Sequence, residues 1–433
     1  MAAACLAASV QAQMTLDFPR GEFAPVNVDT GRLDNASDEY VVVYDDVVWK
    51  ENAAWLRLYF SSVVTPQGSF IRVTSVFDNE TQELDAQALA EWSDTTAYFN
   101  GDTLIVELWA APHTVGNRFV IEKIAFENGL IHPPSAAGEC GICNGDNRTP
   151  SFEEWACRLM PVGCSASVYN TESCMVSAGH CMSGNLVAQF RVPPSSGCRP
   201  QNPGVSDQFP IISRQSTNGG VGNDWAVMTT GTNNVGQKAF QRYGVMRPIA
   251  EVLPSSGATD VWGYGVSSIC ERTQAQQDSP GNIISRQATF YTYTNDVTGG
   301  NSGSGYIFQN QIIGVVTHCN QGGCGNIATR IDHSAFKAAI AALCPAGGVG
   351  CDDIQKHKSK CKSNGGIKGK VVLFTNEFNG EKIQVNIDGD REIELTISGK
   401  KAVYKNFFES PGEHTVMMTR PRCVQFDKRV NCP

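Results

Sequence analysis

The sequence predicts a mostly β protein of two or three domains, and three observations lead there. With 433 residues the chain exceeds what one compact core fills, since domains run about 100–200 residues. Hydrophobic residues make up 41% and charged residues 18%, with 42 glycines, a balance that suits a β-rich globular protein and excludes a disordered or coiled-coil one. Short β-branched and aromatic runs recur between Asn, Gly, Asp and Pro clusters. No fixed-period repeat interrupts them, so solenoids and propellers are not supported.

In chain order, residues 1–13 form a short apolar stretch of small residues. Ala12 closes a Val10-Gln11-Ala12 pattern that suits signal peptidase, so 1–12 reads as an export signal. A lipoprotein signal ending at Cys5 is the weaker alternative, because Ala2 stands where such sites prefer Leu. Strand-like runs at 40–49, 55–64, 69–77, 103–109 and 118–126 predict a β-sandwich within 19–132, which reads as either a pro-region or an accessory domain. His113 sits beside a proline there and reads as a surface residue. The Pro-Pro-Ser-Ala-Ala-Gly string at 133–138 marks a linker. A central segment, 139–345, carries the chemistry and ends in an amphipathic helix at 334–343. The Gly-, Lys- and Ser-rich stretch 346–369 reads as a second linker, and its lysines as a solvated run. Alternating runs at 370–375, 382–387, 392–397 and 414–419 then predict a small β-module over 370–433, with Cys423 and Cys432 stapling its end.

The net charge of −9 provides no basic field for a polyphosphate backbone, so nucleic acid is not an expected partner. No segment beyond the N-terminus approaches the ~20 apolar residues that cross a bilayer, so no membrane anchor is expected. Sixteen cysteines suit an oxidising compartment. Loss of Cys5 with the signal leaves an odd number, so at least one is free or paired between chains. Cys140-Gly-Ile-Cys143 lacks a second pair at zinc-finger spacing and reads as two disulfide partners. No metal or cofactor is implied.

A serine hydroxyl needs a base to take its proton and a carboxylate to orient that base. Three segments supply these parts. Gly299-Gly300-Asn301-Ser302-Gly303-Ser304 sets a serine among glycines, in a turn able to aim amides at an oxyanion. Val176-Ser177-Ala178-Gly179-His180-Cys181 ends a strand-like run on a histidine, and Gly222-Asn223-Asp224-Trp225-Ala226-Val227 opens an apolar run on a carboxylate. The order His, Asp, Ser differs from the Ser, Asp, His of α/β-hydrolase esterases, which excludes that class.

Together these segments resemble the trypsin-like, chymotrypsin-fold serine peptidases, in which the histidine closes Ser/Thr-Ala-Ala/Gly-His-Cys, the aspartate opens Asp-x-Ala-Val/Leu and the serine sits in Gly-Asp/Asn-Ser-Gly. The resemblance spans about 200 residues. It also touches Gly163-Cys164-Ser165-Ala166, Trp262-Gly263-Tyr264-Gly265, Ile313-Gly314-Val315-Val316-Thr317 and Ala328-Thr329-Arg330-Ile331. It implies a chymotrypsin-type double β-barrel, a triad of His180, Asp224 and Ser302, an oxyanion hole of the Gly300 and Ser302 amides, and a Cys164 to Cys181 disulfide. Substrate would lie along Thr317 and His318, with Asp296 at the floor of the primary pocket favouring Lys or Arg. Asn301 replaces the aspartate that pairs with a newly freed N-terminal ammonium, so activation by that switch is not expected. The Gly-Gly-Asn-Ser-Gly-Ser string is similar to bacterial glutamyl endopeptidases, yet Val316 stands where those carry a histidine for acidic side chains; His318 is the alternative acidic-residue receptor. The expected function is therefore a secreted serine endopeptidase acting on protein or peptide substrates. The competing reading is an adhesion or carbohydrate-binding protein on an inactive protease scaffold, and the flanking β-domains leave room for an extracellular ligand.

Overall fold

The computed structural model describes residues 11–13, 21–127, 140–320, 324–344, 353–376, 378–388, 391–420, 423 and 426–433. The expected linker at 133–138 and most of the expected signal lie outside them. The described chain divides into two compact units, Met1–Cys344 and Pro345–Pro433.

The first unit begins with the expected sandwich. One sheet runs Glu22–Asp29, Arg118–Glu127, Trp55–Val64, Phe99–Asn100, and the other Val41–Trp49, Thr103–Ala110, Phe70–Ser75, Thr81–Leu84. Alternation sets the inner faces: along Thr103–Ala110, Leu104, Val106, Leu108 and Ala110 are buried. Trp55, Phe60, Trp92, Phe99 and Phe119 fill the core between the sheets. His113 is exposed and paired with Asp38.

Two barrels follow. Ala156–Met160, Cys164–Val168, Cys174–Ser177, Asp224–Thr230, Gln208–Asn218 and Val187–Gln189 close the first. In the second, Gln311–Asn320 pairs with Gly305–Phe308, which continues through Ala258–Gly263, Gln277–Arg286, Phe290–Tyr293 and Asn326–Arg330 back to Gln311–Asn320. This is the chymotrypsin-type double barrel, flanked by further β domains. Ser334–Leu343 is the expected helix; its Phe336 stacks on Trp225 of the first barrel.

The sandwich and the first barrel share one apolar core, since Val187 and Val205 are buried among the sandwich side chains. Buried polar groups cross the same boundary. Arg57 donates to the Asn185 carbonyl at 2.9 Å, Asn100 and Asn202 exchange two hydrogen bonds, and the Gln208 amide binds both the N–H and the carbonyl of Tyr98.

Six disulfides join described cysteines, Cys164–Cys181 among them, as the resemblance implied. Cys140 and Cys143 reach Cys319 and Cys324, tying the start of the barrel segment to the second barrel. Cys157 is free and buried. No helix of the described residues is long and apolar enough to cross a membrane.

The second unit packs a three-stranded sheet, Ile354–Cys361, Gly366–Leu373, Lys401–Phe408, with a four-stranded one, Arg391–Thr396, Lys382–Ile387, Gly412–Arg420, Lys428–Cys432. Two expectations are corrected here. The lysine-rich stretch is not a linker from 354 on, because alternate residues His357 and Ile367 enter the core while the lysines face out. Cys432 pairs with Cys361 and not with Cys423.

Candidate functional site

The site lies where the two barrels meet. Strand Cys174–Ser177 delivers His180 on a one-turn helix, Gly179–Cys181, and the Cys164–Cys181 bridge pins that helix to the neighbouring strand. Asp224 is the first residue of its strand and is fully buried. Ser302 sits on the turn before Gly305–Phe308 of the second barrel.

These three side chains form a continuous chain of hydrogen bonds. Asp224 Oδ1 accepts the His180 backbone N–H at 3.0 Å, and Oδ2 lies 2.6 Å from His180 Nδ1. A carboxylate only accepts, so Nδ1 carries the proton and Nε2 is left as an acceptor. Nε2 lies 2.7 Å from Ser302 Oγ. The imidazole is thus held in the tautomer that can take the serine proton.

The serine turn depends on two glycines. Gly300 and Gly303 adopt φ of +99° and +85°, conformations that L side chains rarely tolerate. A Cβ on Gly300 would also collide with the Tyr264 carbonyl, and one on Gly303 with the Ser165 carbonyl. Ser165 was quoted in the sequence motif only as the neighbour of Cys164, yet it fixes the turn: its N–H donates to the Ser302 carbonyl at 2.8 Å, its Oγ donates to the Gly300 carbonyl at 2.8 Å, and the Tyr264 N–H donates to that Oγ at 2.9 Å. Gln274, also missed, bridges the Gly163 and Tyr264 carbonyls. Both were hidden because an ordinary Ser in a strand or Gln in a loop carries no signal until the fold brings two barrels against it.

Asn301 turns back on its own loop, with Oδ1 accepting the Thr298 N–H at 3.0 Å. Asp296 is fully buried, and its two oxygens accept the N–H groups of Cys143 and Asn147 at 2.5 and 2.7 Å. Burial raises its pKa, and those two amides pull the other way. Asp296 therefore anchors the disulfide-tied loop that opens the barrel segment. Thr317 and Val316 are buried on the Gln311–Asn320 strand. His318 is 5% exposed, with its ring 6.4 Å from that of His180. Burial lowers its pKa, which disfavours the charged ring.

The free edge of that strand is occupied. Gln11–Gln13 pairs with it antiparallel, Gln11 opposite Asn320, Ala12 opposite Cys319 and Gln13 opposite His318, so the expected signal cleavage point falls inside a paired strand. Gln13 also donates to the Asn218 side chain at 2.7 Å. Cys164, His180 and Cys181 bring their ligand atoms within 4.8 Å of one another, but both sulfurs belong to one disulfide and supply no thiolate.

No family model and no curated protein matches the chain. Among solved structures, a Glu endopeptidase is similar at 19% identity and a TM-score of 0.38, over 46% of this chain and 98% of its own. HBP is similar at 12% identity and a TM-score of 0.37, over 48% of this chain and 99% of its own. At such scores neither likeness carries weight; the fold rests on the strand order, and each is what part of this chain is similar to.

Proposed function

We propose that this chain is a secreted serine endopeptidase that hydrolyses protein or peptide substrates by acyl transfer. The observation that carries the reading is the Asp224–His180–Ser302 chain of hydrogen bonds between the barrels. Ser302 Oγ attacks the peptide carbonyl carbon while its proton passes to His180 Nε2, and Asp224 holds and stabilises the imidazolium that forms. The oxyanion is received by the N–H groups of Gly300 and Ser302. The leaving amine takes the proton from His180, and water, activated by the same base, releases the acyl group. Gln11–Gln13 supports a peptide substrate, since the strand edge beside the triad accepts an extended segment through backbone pairing. The disulfides support an oxidising, extracellular setting.

For the residue before the cut, the proposal is a muted preference for Lys or Arg. Asp296 supplies the charge, but two of the roughly four acceptor sites of its carboxylate are already filled. The glutamyl alternative is weaker, because burial of His318 disfavours the imidazolium that would attract an acidic side chain. A peptide panel varying only that position should show Lys and Arg favoured by no more than about ten-fold, and no preference for either would defeat this assignment.

A fluorophosphonate probe separates the enzyme from an inactive scaffold. Wild type should label covalently, and Ser302→Ala should neither label nor hydrolyse peptides, with a loss on the order of 10⁶ in kcat. Failure of the purified wild type to label would sink the proposal.

A further inference from the structure

The charges of this chain are unevenly divided. Residues 345–433 contain 15 Lys and Arg against 11 Asp and Glu, a net charge of +4, while residues 1–344 carry −13. Eleven of the fifteen lysines lie in that last fifth of the chain. The fold of the second unit gathers them further. Strands Ile354–Cys361 and Gly366–Leu373 pair so that Lys358 stands opposite Lys370 and Lys360 opposite Lys368. Residues directly opposite share one face of the sheet, about 4.5–5.5 Å apart at Cβ, and like charges there repel. Lys405 on the next strand and Lys428 of the other sheet complete the lining of a cavity of about 750 Å³. None of the six lysines is ion-paired with a described carboxylate.

The floor is rigid. His357 is buried, with one ring nitrogen 2.7 Å from the Tyr404 hydroxyl and the other 2.7 Å from the Phe426 carbonyl. Val403, opposite Lys370 and 60% exposed, adds an apolar patch among the cations.

We propose that this cavity is a binding site for an acidic polysaccharide, a chain of carboxylated or sulfated sugars. Successive outward residues of a strand lie about 7 Å apart, so the lysines form two short parallel rows that match charges repeated along a polymer. A bound polyanion relieves the repulsion between the paired lysines. The lining offers neither an exposed aromatic ring for base stacking nor an arginine fork, the features by which single-stranded nucleic acid is held. It is concave, and lacks the bulky apolar side chains that insert into a lipid surface. The site does not depend on the peptidase reading.

The test uses the full chain carrying Ser302→Ala, titrated with heparin and with polygalacturonate, alongside a neutral dextran, a single-stranded oligonucleotide and phosphatidylglycerol vesicles. Binding to at least one acidic glycan is expected, weakening at least ten-fold, roughly, when salt is raised to about 0.5 M. Replacing Lys358, Lys360, Lys368 and Lys370 together by Gln should weaken it by a similar factor of about ten, whereas the corresponding four Arg substitutions should retain it and confirm that the folded face, and not a damaged module, is being read. A control variant with Lys382, Lys400 and Lys401 changed to Gln should stay within about two-fold. The proposal is overturned if neither glycan binds, if the control loses as much as the four-lysine variant, or if the oligonucleotide or the vesicles bind more tightly than both glycans.

Discussion

Asp224 receives two donors, one on each oxygen, and both come from His180. Replacing it with Asn keeps the shape but turns an N–H₂ group toward one of those donors, so the imidazole flips its tautomer and Nε2 no longer accepts from Ser302. Asp224→Asn should lower kcat by about 10⁴ while the fold persists, read by steady-state kinetics beside circular dichroism. Asp296 is the contrasting carboxylate. Its oxygens hold backbone amides of the loop and not a neighbouring side chain, so Asp296→Asn should weaken the fold by about 1–3 kcal/mol through one unsatisfied buried group, seen as a lower melting temperature. A variant that kept its full stability would show that these two hydrogen bonds do not anchor the loop. The triad was legible in the sequence because three short motifs fall in one order. The task of Asp296 was not, because its partners are main-chain amides 149 and 153 residues away.

Element by element, the sequence was most readable where one face of a strand is buried and the other wet. Val41–Trp49, Trp55–Val64 and Arg118–Glu127 lie within a residue of their predicted ends. Short strands such as Phe99–Asn100 and Thr81–Leu84 escaped notice, being too brief for a period of two to register. The lysine-rich strand Ile354–Cys361 was mistaken for a linker because charge density outweighs alternation in a polar run; only His357 and the flanking Ile354 report its buried side. In the same unit, His414 Nδ1 lies 2.6 Å from Asp388, whose other oxygen accepts the Thr415 N–H at 2.7 Å. The hydrogen bond to Asp388 raises the His414 pKa above 6.5; for Asp388, burial pulls upward, but the hydrogen bonds from His414 and Thr415 carry its pKa below 3.8. The contribution of the pair is fully present between those ordinary values. It is lost as pH rises through the raised histidine value and as pH falls through the lowered carboxylate value. Hydrogen-exchange protection of the Gly412–Arg420 strand should therefore decline above the histidine range, and His414→Gln should flatten that decline.

At the scale of the molecule, the sandwich was foreseen as either a pro-region or an accessory domain. Its core continues into the first barrel through Val187 and Val205. Arg57, Asn100 and Gln208 satisfy buried groups across the same boundary. A chain beginning at residue 140 would expose that apolar surface and strand those polar groups, so it should be recovered insoluble or with a sharply lowered melting temperature. The sandwich also contains no cysteine, the first after Cys5 being Cys140. In a chain that has lost Cys5 with its signal, a protease cut between residues 127 and 140 would thus produce two fragments with no covalent bond between them. Such a nicked protein should still travel as a single particle through a gel-filtration column, and separate into two bands only when denatured.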